Sequence, residues 1–426
     1  MTGREVRQRR LAQHPHRRLL RGHGYWKRLG PGIVTGAADD DPSGIGTYSQ
    51  VGAAFGFGLL WTTLATLPLA IAVQEATARL GLVTGKGLAA LIRERFARPV
   101  LWGAVVLVAV ANTFNIGADI GSMAAAAGLL VPVPYVVATI AFAMVMVVLE
   151  VAVPYHRYAR VLRWLALSLL AYVGVLVVVH VDWAAALAHT LVPRLPPGRA
   201  GLAALLAIFG TTISPYLFFW QAGEEIEEQA ERHDPVDRDH LAAMRLDVAA
   251  GMGSGVGVMF AIMVTAAVTL GAHGVVQVNT AQQAAQALRP LAGNLAGLLF
   301  AAGIVGTGLL AVPVLAGSTA YAVAEMFGWR EGLGRRVSQA RAFYAVIAAS
   351  ILAGLAMDFV GIGPIRALYL AAILNGVAAP PLILLILLLA RSKAVLGQHR
   401  SGLLSQLLVG GAAVVMAALS LLVVLP

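Results

Sequence analysis

Apolar runs of about twenty residues recur along this chain, each closed by a short polar or basic segment. A run of that length matches the roughly 30 Å hydrocarbon core of a bilayer. Helices are the economical way to cross it, because each satisfies its own backbone hydrogen bonds in lipid. The pattern predicts spans over 31–55, 58–80, 99–128, 132–152, 160–181, 201–222, 246–271, 291–317, 342–359, 364–390 and 402–425, eleven in all.

Composition supports this reading. Of 426 residues, 59% are hydrophobic and 12% charged, about half the charge of a soluble domain. One transmembrane domain, 31–426, follows a basic segment, 1–30, and no room is left for a separate soluble domain. Nine Lys and Arg precede the first apolar stretch, so 1–30 reads as a cytoplasmic head and not as a cleaved signal peptide. The net charge of +10 invites a nucleic-acid reading, but its distribution reports topology. With the N-terminus inside, 27 of the 31 Lys and Arg fall on internal segments, the asymmetry of the positive-inside rule. The C-terminus is then outside, and the bilayer, with its anionic lipids, is the expected partner. The chain has no cysteine, which excludes disulfides, thiolate metal sites and thiol catalysis. No nucleotide signature is present, no cofactor is called for, and an enzyme is not expected. A monomer is the simplest assembly.

Two spans are interrupted. The first carries Asp39, Asp40 and Asp41 in mid-span, followed by Pro42, Ser43 and Gly44. A charge at the bilayer centre costs about 2.5–3.5 kcal/mol even on the lenient insertion scale, so such residues face a cavity, a cation or a partner. Pro42 lacks a backbone donor and Gly44 tolerates unusual angles, so the helix is expected to unwind over Pro42–Gly44. The sixth span is interrupted by Gly210, Thr211, Thr212, Ser214 and Pro215. Matched breaks five spans apart point to an inverted-repeat transporter with a midplane site. The repeats are 31–181 and 201–390, and 402–425 is an additional helix.

These residues resemble the Nramp family of divalent metal transporters. The resemblance rests on GPG with the Asp41–Pro42 pair, on GAAFGFGLLW (52–61), on QEATARLGLVTGKGLAALIRERF (74–96) and on GTTISP (210–215). It implies a LeuT-type fold, 5+5 helices plus one with helices 1 and 6 broken, and transport of a divalent cation as substrate. The departures refine that expectation. The family's Asp-Pro-Gly-Asn is here Asp41-Pro42-Ser43-Gly44, so an Asn ligand has become Gly44. Its methionine ligand falls on Ser214 and its backbone-carbonyl ligand on Thr211. Thioethers select softer metals, whereas oxygen donors suit Mg and Mn. The family's two histidines align with Tyr216 and Gln221, and its acidic pair with Asn115 and Ala118. Asp119 is one residue from a lost acid, about 100° round a helix axis. The chain thus resembles the Nramp-related branch described as magnesium transporters.

The expected site therefore has Asp41 as charged ligand, with a Thr211 carbonyl, a Ser214 hydroxyl and the small Gly44 leaving room for a partly hydrated Mg²⁺ or Mn²⁺. Asp40 either lines the inner vestibule or, like Asp39, pairs with a basic side chain or a freed helix end. Asn375 on span ten offers an amide to the site or bonds across helices. Transport is by alternating access without proton coupling, across the cell's inner membrane. A proton-coupled Mn²⁺/Fe²⁺ importer with a relay moved to Asp39, Asp40 or Asp119 remains open, as does a LeuT-fold carrier of a small organic solute. Elsewhere, EEIEE (224–228) reads as a solvated helix face. Glu75 and Glu325 are expected to pair with loop arginines. The glycines of GMGSGVG (251–257) should allow close helix approach, and His180, His189 and His273 form no metal spacing.

Overall fold

The computed structural model describes residues 35–36, 38–153, 167–232 and 236–425. The basic segment 1–30 and most of the join between the fourth and fifth spans lie outside these residues. After helical residues at 35–36 and 38–39, the chain forms α1 (Pro42–Phe55), α2 (Trp61–Thr84), α3 (Leu88–Arg95), α4 (Arg98–Ala127) and α5 (Tyr135–Ala152). It continues through α6 (Leu170–Val178), α7 (Trp183–Leu191), α8 (Gly198–Thr212), α9 (Pro215–Arg232) and α10 (Arg238–Thr269). Beyond four short helical segments come α11 (Ala296–Phe327), α12 (Arg341–Met357), α13 (Pro364–Ala390) and α14 (Leu403–Val424).

Among the described residues, eight helical stretches are long and apolar enough to cross a membrane. The α8–α9 pair, broken in the middle, counts as one of them. The lipid-facing surface is visible as helical stripes. Val136, Ile140, Met144 and Val148 follow one face of α5, and Trp102, Val106 and Val110 one face of α4, all exposed. Apolar stripes of this kind would be a liability in water and are the natural outer surface in lipid.

Both breaks differ in register from the sequence expectation. Pro42, Ser43 and Gly44 are helical, and the interruption lies just before them, at Asp40 and Asp41. Asp41 is extended (φ −68°, ψ 170°) and caps α1, with Pro42 in the first helical turn. The reason is local: Asp is a favoured N-cap, and proline's missing N–H is no loss at the first helical position. Likewise Gly210, Thr211 and Thr212 end α8, the break falls on Ile213 and Ser214, and Pro215 opens α9. Thr211 therefore belongs to the last helical turn, where carbonyls lack intrahelical partners.

α1 is enclosed by α4, α8, α10 and α13. Close approach on the α10 side is possible because of glycine. A Cβ on Gly36 would come within 2.3 Å of the Gly251 backbone, and one on Gly52 within 2.3 Å of the Met263 carbonyl oxygen. Gly251 and Gly255 thus serve as the glycine run predicted, whereas Gly253 and Gly257 face open space.

The basic loops converge at one end of the bundle. Glu75 is buried and pairs with Arg79 of its own helix and with Arg245 of α10, while Arg79 also donates to the His399 carbonyl. Only Arg245 comes from another element, which corrects the expected pairing of Glu75 with loop arginines. Glu325 departs further: its carboxylate accepts the Ala90 N–H, at 2.9 Å, while Arg93 donates to its backbone carbonyl. The Glu224–Glu228 run is not a solvated face. Glu224 and Glu225 are buried. Glu227 accepts from the Tyr321 hydroxyl and from the backbone N–H groups of Leu333 (2.8 Å) and Gly334 (3.0 Å), pinning the 328–340 loop to α9. A charge run reads as solvated only while no neighbouring loop covers it.

Candidate metal site

The two breaks face each other in the middle of the bundle. Asp41 is 1% exposed, and its carboxylate is fixed from three sides. Oδ1 accepts from the Gly44 N–H (2.7 Å) and the Ser43 hydroxyl (2.6 Å). Oδ2 accepts from Asn115 Nδ2 of α4, at 3.0 Å. The first two bonds are a helix cap, so the element that starts α1 also aims the carboxylate. A carboxylate has about four lone-pair sites, and three donors leave room for a further partner.

Ser43 joins this group to the second break, its hydroxyl lying 3.2 Å from the Thr211 hydroxyl. Ser214 donates its single hydrogen back to the last turn of α8, 2.8 Å from both the Gly210 and Thr211 carbonyl oxygens. The Ser214 oxygen therefore meets the break as an acceptor, the polarity that a cation requires. The Thr211 carbonyl is shared with that hydroxyl and retains one lone pair. On the other side of the breaks, Tyr216 donates to the Ala38 carbonyl at 2.9 Å, and Tyr48 lies 2.9 Å from the Thr212 hydroxyl.

Asn375 is fully buried, and neither atom of its amide has a hydrogen-bond partner. The interhelical bond weighed for it is absent. It sits on the turn of α13 that touches the end of α8, because a Cβ on Gly210 would meet the Ala372 oxygen at 2.1 Å and the Gly376 nitrogen at 2.4 Å. An amide left unpaired in a protein interior costs about 1–3 kcal/mol, so an opening onto water or a ligand is its reasonable environment.

Asp39 and Asp40 are buried on the α10 side, where a Cβ on Gly255 would lie 3.3 Å from Asp39 Oδ2 and 3.8 Å from Asp40 Oδ1. None of the ion pairs among the described residues reaches either one. Gly44 is tightly held, with a Cβ there meeting the Asp39 carbonyl oxygen and the Tyr48 ring at 3.3 Å. The structure thus gathers Asp41, Gly44, Thr211 and Ser214 and sets Asn375 alongside the end of α8, while Asp40 lies toward α10.

Sequence reasoning undervalued α4. Asn115 touches Asp41 directly, and Asp119, one helical turn on, is fully buried on the same face of α4. The signal was there as a spacing. Asn112, Asn115, Asp119 and Ser122 recur at intervals of three and four, and all four are fully buried on one helical face. Among the described residues no group of three or more His, Cys, Asp or Glu is arranged to hold a metal. The donors here are mixed: carboxylate, hydroxyl, carbonyl and amide.

The family model described as natural resistance-associated macrophage protein-like, Nramp, matches residues 32–426. The chain belongs to the Nramp family. Among curated Nramp relatives, a divalent metal cation transporter, MntH, of Burkholderia ambifaria is 30% identical over 286 residues. That alignment spans 66% of this chain and 64% of the relative's length. A mutant of the Eremococcus coleocola manganese transporter superposes with a TM-score of 0.74 at 18% identity, over 94% of this chain and 87% of that one. Mhp1, a nucleobase-cation-symport-1 family transporter, superposes with a TM-score of 0.54 at 16% identity, over 92% of this chain and 91% of that one. These likenesses establish for this Nramp chain the all-helical LeuT-type architecture that the family resemblance implied.

Proposed function

We propose that this chain is a multi-pass transporter of divalent metal cations in the cell's inner membrane, and that its substrate is a hard, partly hydrated ion, Mg²⁺ and/or Mn²⁺. The N-terminus is cytoplasmic and the C-terminus outside, following the Lys and Arg distribution. The observation that carries the reading is the Asp41 carboxylate, held by Ser43, Gly44 and Asn115 between two helix breaks. Relatives named as divalent metal cation and manganese transporters support the substrate class.

In this reading Asp41 supplies the charged ligand. The Thr211 carbonyl and the Ser214 oxygen supply neutral ones, and the Asn375 amide lines the far wall. Gly44 serves the site through its N–H on the Asp41 carboxylate, with the Asp39 carbonyl and the Tyr48 ring packed where a side chain would be, and Asp40 draws cations toward the inner vestibule. Mg²⁺ gives up its waters reluctantly and is bound through few protein ligands, which suits one cap-held carboxylate among small oxygen donors. Oxygen in place of sulfur at Ser214 removes the preference for softer metals. Tyr216 and Gln221, at the positions of the family's histidines, are both engaged in hydrogen bonds and do not titrate near pH 7. Transport without proton coupling follows. The cycle is alternating access, one helix bundle rocking against the other around a fixed site.

A competition series in proteoliposomes, Mg²⁺ against Mn²⁺, Fe²⁺ and Ca²⁺ with and without a pH gradient, tests this. Mg²⁺ or Mn²⁺ flux without acidification is expected. Metal-dependent proton uptake would replace it with the coupled importer.

A further inference from the structure

Asp119 is fully buried, and neither of its carboxylate oxygens has a hydrogen-bond partner. No ion pair among the described residues reaches it. Its electrostatic neighbours are Asp41, Asp358 and Tyr216. Asp358, just after α12, packs against a different face of α4, the side where a Cβ on Gly121 would meet Asp358 Oδ1 at 2.2 Å and the Tyr135 hydroxyl at 2.6 Å. On the face that looks toward the breaks, Asp119 lies one helical turn beyond Asn115, whose Nδ2 is bound to Asp41 and whose own Oδ1 is unpartnered.

A buried carboxylate without a compensating charge costs several kcal/mol, and a second acid nearby raises that cost. Such a group persists where something positive occupies the space between. Asp39 and Asp40 lie toward α10, so on the α4 side of the site a dication held by Asp41 has no second acid facing it unless Asp119 supplies one. A dication held between two carboxylates is neutral. The unpartnered oxygens of Asp119, the free Oδ1 of Asn115 and the open lone pair of Asp41 all belong to one enclosed stretch of α4 and the first break.

We propose that Asp119 is the second carboxylate of the cation site, reaching the ion directly or through one of its retained waters, so that Asp41 and Asp119 together neutralise a divalent cargo. Asn115 sets the spacing between the two acids. This rests on the divalent-cation reading above and deepens it. The prediction that follows is selectivity by charge: the site holds divalent ions because two acids face it, and a variant with one acid holds them weakly.

The experiment uses the full chain purified in detergent, titrated calorimetrically with MgCl₂ and MnCl₂, and the same variants in proteoliposome uptake. Asp119→Asn, nearly isosteric, is expected to weaken binding at least tenfold and to raise KM in parallel, and Asp119→Glu to recover much of the loss. Thermal midpoints of both variants are expected to stay at or above wild type, because an uncompensated acid is removed or preserved. Wild-type affinity in Asp119→Asn, alongside loss of binding in Asp41→Ala, would overturn the second carboxylate and leave the transporter reading standing. Equal loss in Asp119→Asn and Asp119→Glu with lowered thermal midpoints would also overturn it, by showing a structural role. Failure of the wild-type protein to bind or carry any divalent ion would instead sink the reading on which it rests.

Discussion

The centre of the bundle and its basic end use the same residue types to opposite effect. At the basic end Glu75 has Arg79 and Arg245, Glu227 has Tyr321 and two loop amides, and Glu325 has the Ala90 N–H on one carboxylate oxygen, its other oxygen being without a partner. At the centre, Asp39, Asp119, Asn115 and Asn375 keep buried oxygens or amide atoms with no partner. Satisfied groups hold elements together, whereas unsatisfied ones are poised for something that comes and goes. Substitutions of the polar groups at the centre should therefore change transport and spare stability, those of the paired acids at the basic end should do the reverse, and a glycine contact at the centre should be felt in both.

The largest effect is expected at Asp41. Asp41→Ala should abolish uptake in proteoliposomes, by two orders of magnitude or more, with a thermal midpoint within a few degrees of wild type. Normal uptake by that variant would break the comparison at its centre. Next is Gly36→Ala, which forces a methyl group against the Gly251 backbone. Overpacking of this kind costs about 1–3 kcal/mol, and uptake should fall at least tenfold because the segment carrying the acids is displaced from α10. Asn115→Ala removes one of three donors to Asp41 and should raise KM roughly tenfold, in line with the ~1.5–3 kcal/mol of a hydrogen bond to a charged group, with little change in melting.

The smaller effects belong to the basic end. Glu227→Gln weakens the hold on the 328–340 loop and should lower stability by about 1–2 kcal/mol while leaving KM unchanged, as read from thermal melts beside uptake curves. Glu331, in that same loop, has its carboxyl pushed up to about 7 by burial and by the neighbouring Glu227. A raised acid binds its proton more tightly in the folded protein, so its stabilising contribution is complete below the usual carboxylate range and is lost as pH rises through 7. Glu331→Gln should therefore melt increasingly above wild type between pH 5 and 8. A pH-independent difference would show that the carboxyl does not titrate in the folded loop.

Much of this was readable from residues alone. The apolar runs located the spans, because a bilayer imposes length directly. Asp41 followed by Pro42 announced an interruption, although its position came out two or three residues late, since proline's missing donor suggested unwinding and its preference for a first helical turn decided otherwise. Rotation was harder to read. Whether Asp119 faces Asp41 depends on how α4 is turned against α1 and α11, which tertiary packing sets. The Glu224–Glu228 run misled for a related reason, since its cover arrives from a loop a hundred residues away.

The hydrogen bond from Tyr216 to the Ala38 carbonyl joins the segments on either side of the two breaks. One hydroxyl thus acts as a tie rod between pieces from the two halves of the molecule. Tyr216, whose hydroxyl bonds to none of Asp41, Ser43, Thr211 or Ser214, thus holds the two breaks in register from outside that cluster.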